Sequence, residues 1–138
     1  MILCDYATVA EGKLYLSGGG WTVTGPDPSP SAIAALIEVP WDRTNRRINF
    51  RLRLLNEDGE QVTQPTADGS MPIEMGVEVE VGRPPGAIAG DPLPVPMQFN
   101  LPPLLLTPGM GYYWQAQIDG EQRHEWRCSF RTRRAPTA

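Results

Sequence analysis

The sequence predicts an all-β fold, a single antiparallel β-sandwich of about eight strands, and three observations carry that prediction. Apolar residues recur at every second position in several stretches, the period of a half-buried strand. Glycine and proline together supply 29 of the 138 residues and fall between those stretches, as turns should. Nowhere does a strand pattern alternate with a long helical one, which excludes a parallel α/β sheet. The 138 residues fit one domain over 1–138, and a chain of this size buries roughly two-thirds of its unfolded surface without staples.

Taken in order, Ile2 to Val9 and Lys13 to Val23 read as the first two strands, joined by Ala10-Glu11-Gly12. Gly18-Gly19-Gly20 invites a phosphate-loop reading, but no Gly-Lys-Ser/Thr follows and no helix starts there. Glycines inside a strand instead mark a bulge or a close backbone approach. Gly25 to Ser31 holds three prolines and is a loop. Ala32 to Val39 is ambiguous, because its alanines favour helix while its length and the Pro40 stop favour a fully buried strand. Strand is the reading taken. Arg47 to Asn56 alternates Ile48, Phe50, Leu52 and Leu54 with Asn49, Arg51 and Arg53, and Glu57-Asp58-Gly59-Glu60 closes it. After a loop over Pro65 to Pro72, Ile73 to Gly82 sets Ile73, Met75, Val77, Val79 and Val81 inward and Glu74, Glu78 and Glu80 outward. Pro84 to Pro94 is too rich in proline and glycine to pair; Val95, Met97, Phe99 and Leu101 restore an inward face before the Pro102 to Pro108 corner.

The last hairpin, Gly111 to Thr132, organises the rest. Asp119-Gly120 suits a two-residue type I′ turn, whose central residues both need positive φ. Tyr112, Trp114, Ala116 and Ile118 share one face and Tyr113, Gln115 and Gln117 the other; returning, His124, Trp126, Cys128 and Phe130 alternate with Glu125, Arg127, Ser129 and Arg131. The expected core is therefore Trp114, Trp126, Phe130, Phe50, Phe99 and Val79, with Arg51 and Arg53 sharing an outer face with Glu78 and Glu80. Cys4 and Cys128 are expected as buried free thiols in an intracellular setting.

The formal charge of −4 argues against a general nucleic-acid binder. No basic n-region with a long apolar run opens the chain and no run of 18 apolar residues occurs, so no targeting or membrane segment is expected, and the expected location is cytoplasmic.

Leu3-Cys4-Asp5, Gly18-Gly19-Gly20-Trp21, Ile37-Glu38-Val39-Pro40-Trp41-Asp42, Glu57-Asp58-Gly59, Val81-Gly82-Arg83-Pro84-Pro85-Gly86 and Ile118-Asp119-Gly120-Glu121, in that order, resemble a family of small uncharacterised proteins of actinobacteria and their phages. The resemblance spans nearly the whole chain and leaves out the tail from Arg131 to Ala138. It implies an immunoglobulin-like fold, carries over no catalytic residue, and allows a virion location if the chain is phage-encoded.

No catalytic, metal or cofactor site is expected. The only histidine, His124, lies roughly 13 Å along its strand from Cys128, and no nucleophile elbow is present. Two distant cysteines and one histidine do not make a zinc set, and Glu57, Asp58 and Glu60 read as a solvated turn without the glycine-spaced acidic loop of a calcium hand. Arg123, Arg127, Arg131, Arg133 and Arg134 make the terminal strand and the tail at 131–138 basic; a charged edge strand also guards against edge-to-edge pairing. The expected function is a non-enzymatic interaction module, a structural or accessory subunit of a larger assembly such as a phage capsid decoration or tail accessory. Its partners would be protein subunits, a homo-oligomer included, with no membrane and no nucleic acid. Arg127, Arg131, Arg133, Arg134, Arg83, Pro84 and Pro85 are the expected contact residues. The rival readings are a cytoplasmic sandwich that binds a small ligand in a pocket between its sheets, and a hydrolase with an unusual site at His124.

Overall fold

The structure is a computed structural model that describes residues 1–136; Thr137 and Ala138, the end of the expected basic tail, lie outside the described residues. The fold is all-β, with twelve strands in four sheets. These are β1 (Ile2–Cys4), β2 (Tyr6–Ala10), β3 (Lys13–Ser17), β4 (Val23–Thr24), β5 (Ser31–Val39), β6 (Arg47–Asn56), β7 (Thr63–Thr66), β8 (Gly69–Pro72), β9 (Glu74–Glu80), β10 (Leu93–Leu101), β11 (Gly111–Ile118) and β12 (Glu121–Thr132).

The excess over eight has local causes. The first expected strand breaks at Asp5 and the second at the glycine run, where Gly18 and Gly20 take φ of 60° and 88°. Gly18 lies so close to Asp5 that a Cβ there would sit 2.1 Å from the carboxylate, so a close backbone approach is what the glycine supplies. The expected loop over Pro65 to Pro72 is instead the β7–β8 hairpin, with Pro65 opposite Ser70. Likewise β10 begins at Leu93 and takes in Pro94 and Pro96, which an edge strand tolerates. Ala32 to Val39 is strand, as read.

A three-stranded sheet, β1-β5-β10, faces a five-stranded sheet, β4-β12-β11-β6-β9. Their pairs are antiparallel except β4 with β12, which is parallel. Leu3, Ile33, Met97 and Leu101 from the first pack against Phe50, Leu52, Leu54, Tyr112, Trp114 and Phe130 from the second. Phe50 stacks on Phe99 at 5.7 Å and Tyr112 on Phe130 at 5.6 Å. Of the expected core, Trp114, Phe130 and Phe50 are buried. Trp126, Phe99 and Val79 pack against the core half-buried, Phe99 and Val79 on the edge strands β10 and β9 and Trp126 where β12 leaves its register. Val77, expected inward, is 38% exposed on β9, an edge strand.

The other face of β5 is covered too. Ala32 and Ala34 form a small second core with Cys4, Ala7 and Leu14, so the β2–β3 hairpin lies over the three-stranded sheet. Side chains this small let a third layer approach closely, and this is why β5 reads as one unbroken apolar run. Asn100 holds the hairpin by accepting from Ala7 N at 3.1 Å and donating to Ala7 O at 2.8 Å, while Gln98 accepts from Val9 N.

Candidate partner-contact face

The last hairpin turns at Asp119 and Gly120 with φ of 49° and 82°, as a type I′ turn requires. Above the turn the ladder slips. Gln117 pairs with Gln122, but Gln115 pairs with Arg127, so residues 123–126 of β12 stand opposite Ala116 alone. Gln115, expected to face outward, is 1% exposed because it fills the space under this bulge. Its amide nitrogen donates to Arg123 O at 2.9 Å, Ala116 O at 3.1 Å and Trp126 O at 3.3 Å. Its oxygen accepts from Arg127 Nε at 2.6 Å, and the Arg127 guanidinium lies 4.6 Å from the centre of the Tyr113 ring.

That contact fixes Arg127 on the outer face of the five-stranded sheet, and the register brings β6 to it. Gln115 pairs with Arg53 on its other side, and Gln117 with Arg51. Adjacent strands are roughly 4.8 Å apart, so Arg53 and Arg127 flank Gln115 about 10 Å from each other, with Arg51 one pleat further along β6. Arg51 and Arg53 share their face with Glu78 and Glu80, as expected, but are not opposite them: Arg47 stands opposite Glu80, Asn49 opposite Glu78, Arg51 over Gly76 and Arg53 opposite Glu74. The described residues make three ion pairs, Arg47–Glu78 at 3.9 Å, Arg123–Glu121 at 2.8 Å and Arg131–Glu57 at 2.8 Å. None takes in Arg51, Arg53 or Arg127. Arg53 Nε is buried without an acceptor among the described residues, an uncommon state for a charged donor. Like charges this close repel, and three guanidinium forks with Tyr113, Gln117 and Ser129 beside them suit carboxylates.

The other expected contact residues fall into two places. Arg131 donates to Glu57 and to Gly109 O at 2.9 Å, so it ties the sheet to its own loops. Arg133 and Arg134 continue from it, exposed. Arg83 lies at the other end of β6, more than 25 Å away at the usual rise per residue. It donates to Thr44 Oγ1 at 2.8 Å and Trp41 O at 2.9 Å and covers the Trp41 ring at 4.0 Å. Pro84 and Pro85 beyond it are exposed, in a turn closed by Ala87 N donating to Pro84 O at 3.0 Å. The expected set is therefore not one surface. Arg51 and Arg53 are the residues that sequence reasoning missed, although their parity on β6 was read correctly; only the β6–β11–β12 register joins them to Arg127.

His124 is exposed in the bulge, and among the described residues it enters no hydrogen bond or ion pair. Cys4 is buried, with its thiol toward Ala32 O, and Cys128 is half-buried beside Met1 O; both are free. Burial pushes both thiols above their ordinary range, with the Asp5 charge adding to the rise at Cys4 and the N-terminal ammonium opposing it at Cys128. The acidic turn is organised by Asn56, whose oxygen accepts from Asp58 N and Glu60 N. Among the described residues no three His, Cys, Asp or Glu side chains converge as metal ligands do, and no helix is long and apolar enough to cross a membrane. The partly open cavity beside Trp21, Trp114 and Phe130 measures about 30 Å³, far below the several hundred Å³ of an ordinary small-molecule pocket.

No curated protein and no solved structure matches the chain. The sequence profile of a family of unknown function, DUF6941, matches residues 1–131, and its limit coincides with the start of the tail. The match covers all twelve strands but the last residue of β12, and the chain belongs to the DUF6941 family of unknown function.

Proposed function

We propose that the chain is a non-enzymatic interaction module whose five-stranded sheet presents Arg51, Arg53 and Arg127 to an acidic protein surface. The observation that carries this reading is the gathering of three guanidinium groups without ion pairs on one open face of a molecule of net charge −4. Arg133 and Arg134 extend the basic face beyond the end of β12, and Pro84-Pro85 offers a separate contact at the far end of the molecule. The setting we favour is a larger assembly, in its most concrete form a phage particle in which an immunoglobulin-like chain of actinobacterial or phage origin serves as capsid decoration or tail accessory. Capsid or tail genes beside its own would support that setting.

Binding of poly-L-glutamate tests the face. The wild-type chain binds it at low salt and loses it at high salt. The triple variant Arg51→Ser, Arg53→Ser, Arg127→Ser binds about tenfold more weakly or worse and still folds, with a melting temperature lowered by loss of the Arg127–Gln115 hydrogen bond. Equal binding by the triple variant overturns the proposal. A single-stranded oligonucleotide of equal charge binding more tightly than poly-L-glutamate would move the reading to nucleic acid.

A further inference from the structure

The three-stranded sheet is incomplete along one edge. β1 covers β5 only from Ala32 to Ala34, whereas β10 runs along its other side from Ser31 to Val39. From Ala35 to Val39, β5 has no strand beside it on the β1 side among the described residues. The prolines of β10 reveal which backbone groups face that opening. In an antiparallel pair, opposed residues alternate between those that exchange both hydrogen bonds and those whose N–H and C=O point away. Pro94 and Pro96 have no N–H to exchange, and they stand opposite Glu38 and Leu36. The N–H and C=O of Leu36 and Glu38 therefore point away from β10, into the opening.

The opposite wall is the bulge of β12. Two contiguous grooves of about 340 and 250 Å³ run between the two, both walled by Ile37, Glu38, Ile118, Arg123 and Trp126. Ile37, Ile118 and Trp126 give them a half-buried apolar floor, and Leu36 at the lip is 60% exposed. The rim is acidic: Glu38, Asp119, Glu121 and Glu125 face two arginines, Arg43 and Arg123, with Met1 and its N-terminal ammonium at one end, and Arg123 is already paired with Glu121 at 2.8 Å. Across β10 from Glu38 stands Pro94, which offers it no cation.

We propose that this slot receives an extended segment of another polypeptide, laid antiparallel to β5 in line with β1. Its apolar side chains face Ile37 and Val39, and a lysine or arginine stands opposite Glu38. Main-chain hydrogen bonds to Leu36 and Glu38 supply the grip and the alternation supplies selectivity, the mode of strand addition to an open sheet edge. A second copy offering its own β5 edge would bring another Glu38 and no cation to an acidic rim. The slot is independent of the arginine face, which lies on the outer side of the other sheet.

The test titrates the isotope-labelled full chain with a short capped peptide of alternating valine and lysine. The amide signals of Leu36 and Glu38 shift, and their hydrogen exchange slows about tenfold or more at saturation; a valine–glutamate peptide leaves them in place. Leu36→Pro removes an N–H that points into the slot and replaces a side chain 60% exposed at its lip while sparing the β10 ladder, so it weakens the valine–lysine peptide about tenfold or more with little change in melting temperature. Ile37→Pro, whose N–H belongs to the β10 ladder, loses stability instead. Glu38→Lys, which leaves the backbone untouched, reverses the preference to the valine–glutamate peptide. Unmoved amides, equal binding of both peptides to the wild-type chain, or undiminished binding by Leu36→Pro overturns the proposal. A wild-type dimer in sedimentation that Leu36→Pro dissociates assigns the slot to a second copy and overturns it as well.

Discussion

At Gln115 the outward face of a strand has become interior. Its amide serves three carbonyls of the bulge and its oxygen holds Arg127. Gln115→Ala leaves buried carbonyls without a donor and is expected to cost about 1–3 kcal/mol, read from the urea midpoint; a loss below about 0.5 kcal/mol would show that the bulge holds without it. The two thiols carry a pH dependence. Burial raises both above the ordinary thiol value of about 8.5, so the folded chain keeps protons that the unfolded chain gives up. Their contribution to stability is complete below that value and declines as pH rises through the raised ones. Melting temperature followed from neutral to alkaline pH should therefore fall more steeply in the wild type than in a Cys4→Ala, Cys128→Ala variant, and parallel curves would contradict this. At this scale the sequence was readable where one residue decides, as at Asp119-Gly120 and at the free cysteines. It misled at Gln115, whose burial follows from a slip in a strand facing it.

Among the elements, the β2–β3 hairpin shows how far side chains can replace a ladder. Asn100 matches the N–H and C=O of Ala7 with its own amide, as a neighbouring strand would. Asn100→Leu should speed amide exchange at Ala7 while β6 and β11 keep their protection; unchanged exchange there would mean that Gln98 and the packing on Ala32 and Ala34 hold the hairpin without it. The strand at Arg47–Asn56 and the last hairpin stood out in the sequence because each keeps a strict period of two over most of its length. The breaks at Asp5 and Gly18 did not, since the backbone bonds there, Asp5 N to Ser17 O and Gly20 N to Leu3 O, join residues distant along the chain. The β7–β8 hairpin was hidden by Pro65 and Pro72, which read as loop when pairing is unknown.

For the whole molecule, the two facing sheets follow from composition and alternation, while the third layer over β5 and the short β1 depend on pairings that no local pattern announces. The basic face has the same origin. Arg51, Arg53 and Arg127 are far apart in sequence, and only the central position of β11 brings them together. Glu74, on the edge strand β9, stands opposite Arg53, so the plainest rival to a partner is a sheet that balances its own charge without close pairs. The arginine Nε–Hε resonances separate the two. On addition of a short glutamate peptide at low salt, the account predicts that the signals of Arg51 and Arg53 shift together and that of Arg127, whose Nε already donates to Gln115, shifts less, while Arg83 and Arg131, held by their own loops, stay in place. Signals that do not move, or movement confined to Arg133 and Arg134 beyond the sheet, would contradict it.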